Sequence, residues 1–165
     1  QWDVPSKYGK TLDVIHSPVP RYDPDLSQAM RIFFDRLRPE APVWRANRTL
    51  TDDPNLRLAP QRRHQAMRND ITVTNVADRV WLRVEYQTLR RLPQTDVIVF
   101  TIRILRQKIS SVADYPQAFR ELMRSLIHMP SDIRGYKDST WRHALLIQDW
   151  ALSTGRLTEE ELLIN

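Results

Sequence analysis

The sequence predicts an α+β domain built on a small antiparallel sheet. Two observations carry this. Residues 80–105 hold two long stretches of alternating side chains on either side of a turn at Leu92 to Thr95, and the elements run in the order helix, strand, long excursion, hairpin, helices. At 165 residues, of which 41% are hydrophobic, the chain is long enough for one domain with a real core. Residues 1–165 are read as that single domain, with residues 139–165 as a C-terminal helical extension. The chain starts at Gln1 without a methionine, and an N-terminally truncated fragment is expected.

Pro5, Gly9, Pro18 and Pro20 punctuate the first 22 residues and predict ordered loop, with at most a short strand near Leu12 to Ile15. Asp23, Pro24 and Asp25 supply an N-cap, a first-turn proline and a first-turn acid. Leu26, Ala29, Met30, Phe33 and Leu37 then repeat at helical spacing, so a helix is expected from Pro24 to Arg38. Val43 to Leu50 alternates and reads as a strand. Residues 51–79 carry prolines and a basic patch at Arg62, Arg63 and His64, an excursion from the sheet.

In the hairpin that follows, Val80, Leu82, Val84, Tyr86 and Thr88 share one face, expected to be plain core. Trp81, Arg83, Glu85, Gln87 and Leu89 share the other, the expected working surface. Pro93 sits in the turn, where it removes no ladder hydrogen bond. Asp114 is expected to cap a helix with the apolar stripe Tyr115, Phe119, Leu122, Met123 and Leu126, closed by Pro130. Trp141 to Leu152 reads as a further amphipathic helix stopped by Gly155, and Thr158 with Glu161 forms a capping box opening a last helix, Glu159 to Ile164.

The net charge is +5, and it comes almost wholly from arginine, because lysine appears only at positions 7, 10, 108 and 137. Arginine suits planar, bidentate binding of carboxylates and phosphates. With no cysteine, disulfides, zinc–thiolate sites, iron–sulfur clusters and thiolate-ligated haem are excluded within the chain. No apolar run approaches the roughly 20 residues that span a bilayer, so no membrane role is expected and a cytoplasmic location is. With only Gly9, Gly135 and Gly155 for glycines, Walker, GxGxxG and GxSxG loops are all missing. No recognition-helix or RNP pattern supports nucleic-acid binding.

His16 lies in Ile15-His16-Ser17-Pro18-Val19-Pro20, where two prolines fix the path of the chain after it. It reads either as a hydrogen-bonded loop histidine or as an imidazole held at one angle for a metal or haem. His64 is expected in a solvated basic loop, His128 on helix-terminal carbonyls, and His143 at the surface; no two histidines have zinc-ligand spacing. Arg83 and Glu85 read either as members of a cross-strand ion-pair set with Arg103 or as a wall binding a charged ligand. Arg45 and Asn47 pair along the earlier strand in the same way. Arginine among large apolar residues on three strands asks for an equally buried anion.

The segments IHSPVP at His16, RANRTL at Arg45 to Leu50, LRVEYQTLRRLPQTDVIVFTIR at Leu82 to Arg103, and the pairs Met129-Pro130 and Tyr136-Lys137 together resemble the haem-dependent oxidative N-demethylase alpha-subunit-like family, over residues 2–138. The resemblance implies a PAS-like antiparallel sheet with flanking helices that binds haem b. It also implies oxidative demethylation of a small secondary amine such as dimethylamine, a monooxygenase-type reaction using dioxygen. Electrons would come from NADPH through flavin and iron–sulfur centres on separate reductase subunits. By the same resemblance His16 is the expected axial ligand, while Arg45, Asn47 and Arg103 are expected cofactor contacts. Glu85 and Arg83 are expected in the catalytic pocket. A non-catalytic PAS-like haem or small-ligand sensor is the alternative, since fold does not fix function; a basic nucleic-acid-binding domain is a third reading. Two positions depart from the family pattern: Tyr86 stands where arginine is usual, and Arg48 where tryptophan is usual.

Overall fold

A computed structural model describes residues 4–22, 26–56 and 68–163. The elements are α1 (Val4–Lys7), α2 (Leu12–His16), α3 (Ser27–Arg36), β1 (Val43–Thr51), α4 (Val76–Arg79), β2 (Trp81–Arg91), β3 (Ile98–Lys108), α5 (Ile109–Val112), α6 (Pro116–Ile127), α7 (Ser131–Tyr136), α8 (Asp138–Ser153) and α9 (Glu159–Leu162). The strands form an antiparallel sheet in the order β1-β2-β3, so the α+β class expected from the sequence is the one observed. Contacts divide the chain into two compact units, Gln1–Asn47 with Glu85–Arg103, and Arg48–Val84 with Ile104–Asn165.

In the first unit, α2 replaces the expected loop or short strand. Thr11 caps it, its hydroxyl accepting from the Val14 N–H at 3.4 Å, and the helix ends at His16 before Pro18 can interrupt it. Asp13 then becomes a hub for α2 and α3: its carboxylate accepts from the Tyr22 hydroxyl at 3.3 Å, the Ser27 hydroxyl at 3.0 Å and the Arg31 guanidinium at 2.5 Å. The proposed cap of α3, Asp23 to Asp25, lies outside the described residues, as do Arg62, Arg63 and His64. The far end of α3 is closed from the hairpin. Arg91 donates to the carbonyls of Leu37, at 2.7 Å, and Phe34, and pairs with the Asp96 carboxylate at 2.9 Å. Leu92 and Val97 pair at the hairpin tip, and Asp96, at φ 58°, takes the left-handed conformation that lets the four-residue loop close.

The second unit holds the main core. Phe119, Leu122, Met123 and Leu126 of α6 pack with Val76, Val80, Ile109, Ala144, Ile147 and Ala151 in one buried cluster. α8 buries Thr140, His143, Ala144, Ile147 and Ala151, a stripe of mostly small residues that lets a neighbouring helix approach closely, and Leu145 is left partly exposed. Asp114 is not the cap of α6. Tyr115 occupies that position, with Pro116 opening the helix, so the Tyr115 ring is exposed and outside the apolar stripe. The capping box of α9 is formed as expected: the Glu161 N–H donates to the Thr158 hydroxyl at 3.2 Å and the Thr158 N–H to the Glu161 carboxylate at 2.9 Å. Gly155 follows α8 at φ 67°, where a Cβ would be strained.

Candidate functional site

In the first unit the Thr88 and Thr101 hydroxyls meet at 2.5 Å, and with the Leu92–Val97 pair this fixes the register of the hairpin. Tyr86, Thr88 and Arg90 therefore share a face with Val99, Thr101 and Arg103, while Glu85, Gln87 and Leu89 share the other with Ile98, Phe100 and Ile102. The face expected to be plain core is the open one here, since Val99, Thr101 and Arg103 are all exposed. The reason lies in β3, whose bulky residues Ile98, Phe100 and Ile102, themselves half-buried, alternate onto the side of the buried Gln87.

On that more covered face three polar side chains form a chain. Arg45 donates through Nε to Gln87 Oε1 at 2.7 Å, and Gln87 donates through Nε2 to Glu85 Oε2 at 3.0 Å. Gln87 is only 6% exposed, so its amide is held by both neighbours and in turn orients both. Arg45 is exposed, and its terminal nitrogens have no partner among the described residues. Asn47 falls on the same face as Arg45 by alternation and is half-buried.

His16, the last residue of α2, is half-buried. Its Nδ1 lies 2.9 Å from the Leu12 carbonyl oxygen, and its ring stacks on Tyr22 with centroids 4.9 Å apart. A carbonyl oxygen can only accept, so Nδ1 carries a proton, and in the neutral ring Nε2 is the nitrogen with the lone pair. Tyr22 in turn donates to Asp13, whose carboxyl is held below its ordinary range by the Arg31 guanidinium first and the Ser27 hydroxyl second. The ring orientation of His16 is thus set by its own helix and by the Asp13 hub.

The structure brings together Arg45, Gln87 and Glu85. It does not place Arg103 with them: Arg103 is on the opposite, open face, which removes the cross-strand ion pair expected with Glu85. Arg83 is in the second unit, buried, and donates to the Leu56 carbonyl at 2.8 Å. No hydrogen bond joins His16 to the sheet among the described residues. Sequence reasoning missed Asp13 and Tyr22 as supports of His16. The signal was the three-residue spacing from Asp13 to His16, hidden once the segment was read as extended.

Among the other histidines, His128 meets the Leu162 carbonyl at 2.8 Å, as expected of a residue near helix-terminal carbonyls. His143 is not at the surface. It is 1% exposed in the core of the second unit, and neither ring nitrogen completes a hydrogen bond among the described residues. Burial pushes its pKa down, opposed in part by the Asp52 carboxylate and the Ser139 carbonyl one turn back.

Tyr86 and Arg48 also have defined structural settings. Tyr86 stacks on Trp44, with centroids 5.3 Å apart and planes at 26°. Arg48 donates to the Ser125 hydroxyl of α6 at 2.6 Å, and its carbonyl accepts from Lys137 at 3.3 Å. No helix among the described residues is long and apolar enough to cross a membrane. A family model described as haem-dependent oxidative N-demethylase, alpha subunit-like, matches residues 1–146, and with the α+β sheet and these residues in place the chain belongs to that family.

Proposed function

We propose that this chain binds haem b in a PAS-like fold and takes part in the oxidative N-demethylation of a small secondary amine such as dimethylamine. The observation that carries the reading is the His16 ring, whose Nδ1 is committed to the Leu12 carbonyl, so that in the neutral ring Nε2 would offer the lone pair a haem iron needs. A second feature supports it. Arg45 leaves its terminal nitrogens available for a propionate while Gln87 fixes its orientation, on a face lined by Ile98, Phe100 and Ile102.

Haem, when bound, would supply the electron chemistry by which dioxygen, two electrons and two protons oxidise the N-methyl carbon, giving formaldehyde, water and the demethylated amine. The chain's own residues do the rest. His16 would ligate the iron, and Asp13 and Tyr22 keep its ring at one angle. Arg45 holds an anionic group. Glu85, anchored by Gln87, offers a carboxylate to an ammonium substrate. Arg83 is left a supporting role in the second unit through its bond to Leu56. The alpha-subunit designation implies partner chains, and we assign NADPH, flavin and iron–sulfur chemistry to reductase subunits among them, in keeping with a cysteine-free sequence.

Reconstituted protein is expected to show a Soret band that shifts in His16→Ala and to release formaldehyde from dimethylamine with a reductant. An unchanged Soret band removes His16 as ligand. A haem spectrum without turnover favours the sensor reading.

A further inference from the structure

We infer that the open sheet face of the first unit is a docking surface for a protein partner presenting an acidic patch. Alternation and register gather Trp44, Tyr86, Arg90, Val99, Thr101 and Arg103 on this face, with Arg103 directly opposite Tyr86 and Arg90 opposite Val99. Trp44 is 65% exposed although stacked on Tyr86, and Val99 is 38% exposed. An aromatic pair this open leaves much apolar area in water.

The charge on the face is of one sign. None of the six is a carboxylate, and the guanidinium groups of Arg90 and Arg103 have neither an ion pair nor a hydrogen bond among the described residues. Other arginines of the same unit are committed, Arg31 to Asp13 and Arg91 to Asp96. Tryptophan, tyrosine and arginine, with lysine, glutamate and aspartate missing, is the composition of the buried centre of a protein interface. Two unpaired guanidinium groups flanking a stacked pair call for carboxylates on the other side, since an arginine buried by an uncharged partner is left uncompensated. The face is separate from the Arg45–Gln87–Glu85 chain, which lies on the other side of the strands. The identity of the occupant as a protein rests on the partner subunits proposed above; the face and its charge do not.

The test uses the whole chain, with fluorescently labelled short poly-L-glutamate as the acidic probe and oligo-dT of equal charge as the competitor class. Polyglutamate is expected to bind more tightly than oligo-dT. Arg90→Glu with Arg103→Glu should weaken it by at least about tenfold, Trp44→Ala should also weaken it, and Arg36→Glu with Arg38→Glu, exposed but off the face, should leave it unchanged. Equal losses from both arginine pairs would mean diffuse attraction to a basic protein and would overturn the inference. Tighter binding of oligo-dT with the same dependence on Arg90 and Arg103 would also overturn it, giving the face to nucleic acid. The Soret band of the Arg90/Arg103 variant is read alongside: its retention with loss of docking supports two separate surfaces, and loss of both would return Arg103 to the haem site and overturn the inference.

Discussion

Gln87 is the residue on which the site's geometry turns, because one buried amide orients a cation on one side and an anion on the other. Gln87→Leu removes the hydrogen bonds to Arg45 and Glu85 and is expected to cost about 0.5–1.5 kcal/mol per bond lost, read as a lowered denaturant midpoint with unchanged slope. Gln87→Glu keeps the shape but sets a carboxylate beside Glu85, so its stability should fall as pH rises through the carboxylate range, where the parent shows no such loss. His143 is the opposite case, a polar ring in the core whose nitrogens complete no hydrogen bond among the described residues. His143→Leu is expected to be neutral or stabilising by about 1 kcal/mol, a rise in Tm of about 2–4 °C. Glu85 and Arg45 were legible in the sequence as strand residues sharing faces. Their link through Gln87 was not, since it needs the pairing of β1 with β2. Nor was the burial of His143, because a histidine between Arg142 and Ala144 looks like surface until the small residues Ala144 and Ala151 are seen to face the core.

Elements with local signals were legible almost to the residue. The hairpin, the capping box of α9 and the glycine stop of α8 depend on chemistry a few residues wide. Thr158→Ala removes the hydroxyl's share of that box and is expected to cost about 1 kcal/mol in thermal unfolding. α9 should nonetheless remain docked, because Arg124 donates to the Glu161 carbonyl at 2.6 Å and Arg120 pairs with its carboxylate at 2.5 Å. Short elements without a local capping signal were not legible: α2, α4 and α7 are too short to show a period, and their stability comes from packing and side-chain hubs. The choice of covered sheet face failed for a related reason. Both faces of β2 carry apolar residues, and only the bulk of Ile98, Phe100 and Ile102 on the neighbouring strand decides between them. In α8, Ala144→Leu is expected to cost about 1–3 kcal/mol by overpacking, measurable by chemical denaturation.

For the whole molecule, the titrating groups predict loss of stability in acid in two stages. The pKa of His143 is lowered by burial, so the folded state binds fewer protons than the unfolded one. Stability is therefore full above about pH 6.5, the unfolded value, and declines as pH falls from there through the folded pKa. The carboxyls of Asp13, Asp70 and Glu161 are also lowered, chiefly by Arg31, Arg79 and the Thr158 N–H. Their contribution is present above the unfolded value near 4 and is lost only as pH falls through their folded values. His143→Leu should abolish the first stage and leave the second, as followed by Tm against pH. One feature at the end of α3 bears on the order in which the chain assembles. Arg91 ties itself to carbonyls 54 and 57 positions earlier, closing a loop that includes the whole of β1 and α4. So distant a closure is entropically expensive before the flanking pieces exist, which places it on the native side of the folding barrier. Arg91→Lys, which cannot fork across two carbonyls, should speed unfolding by about tenfold and leave the refolding rate nearly as it was, making this one guanidinium a determinant of how long the protein lasts more than of how fast it forms.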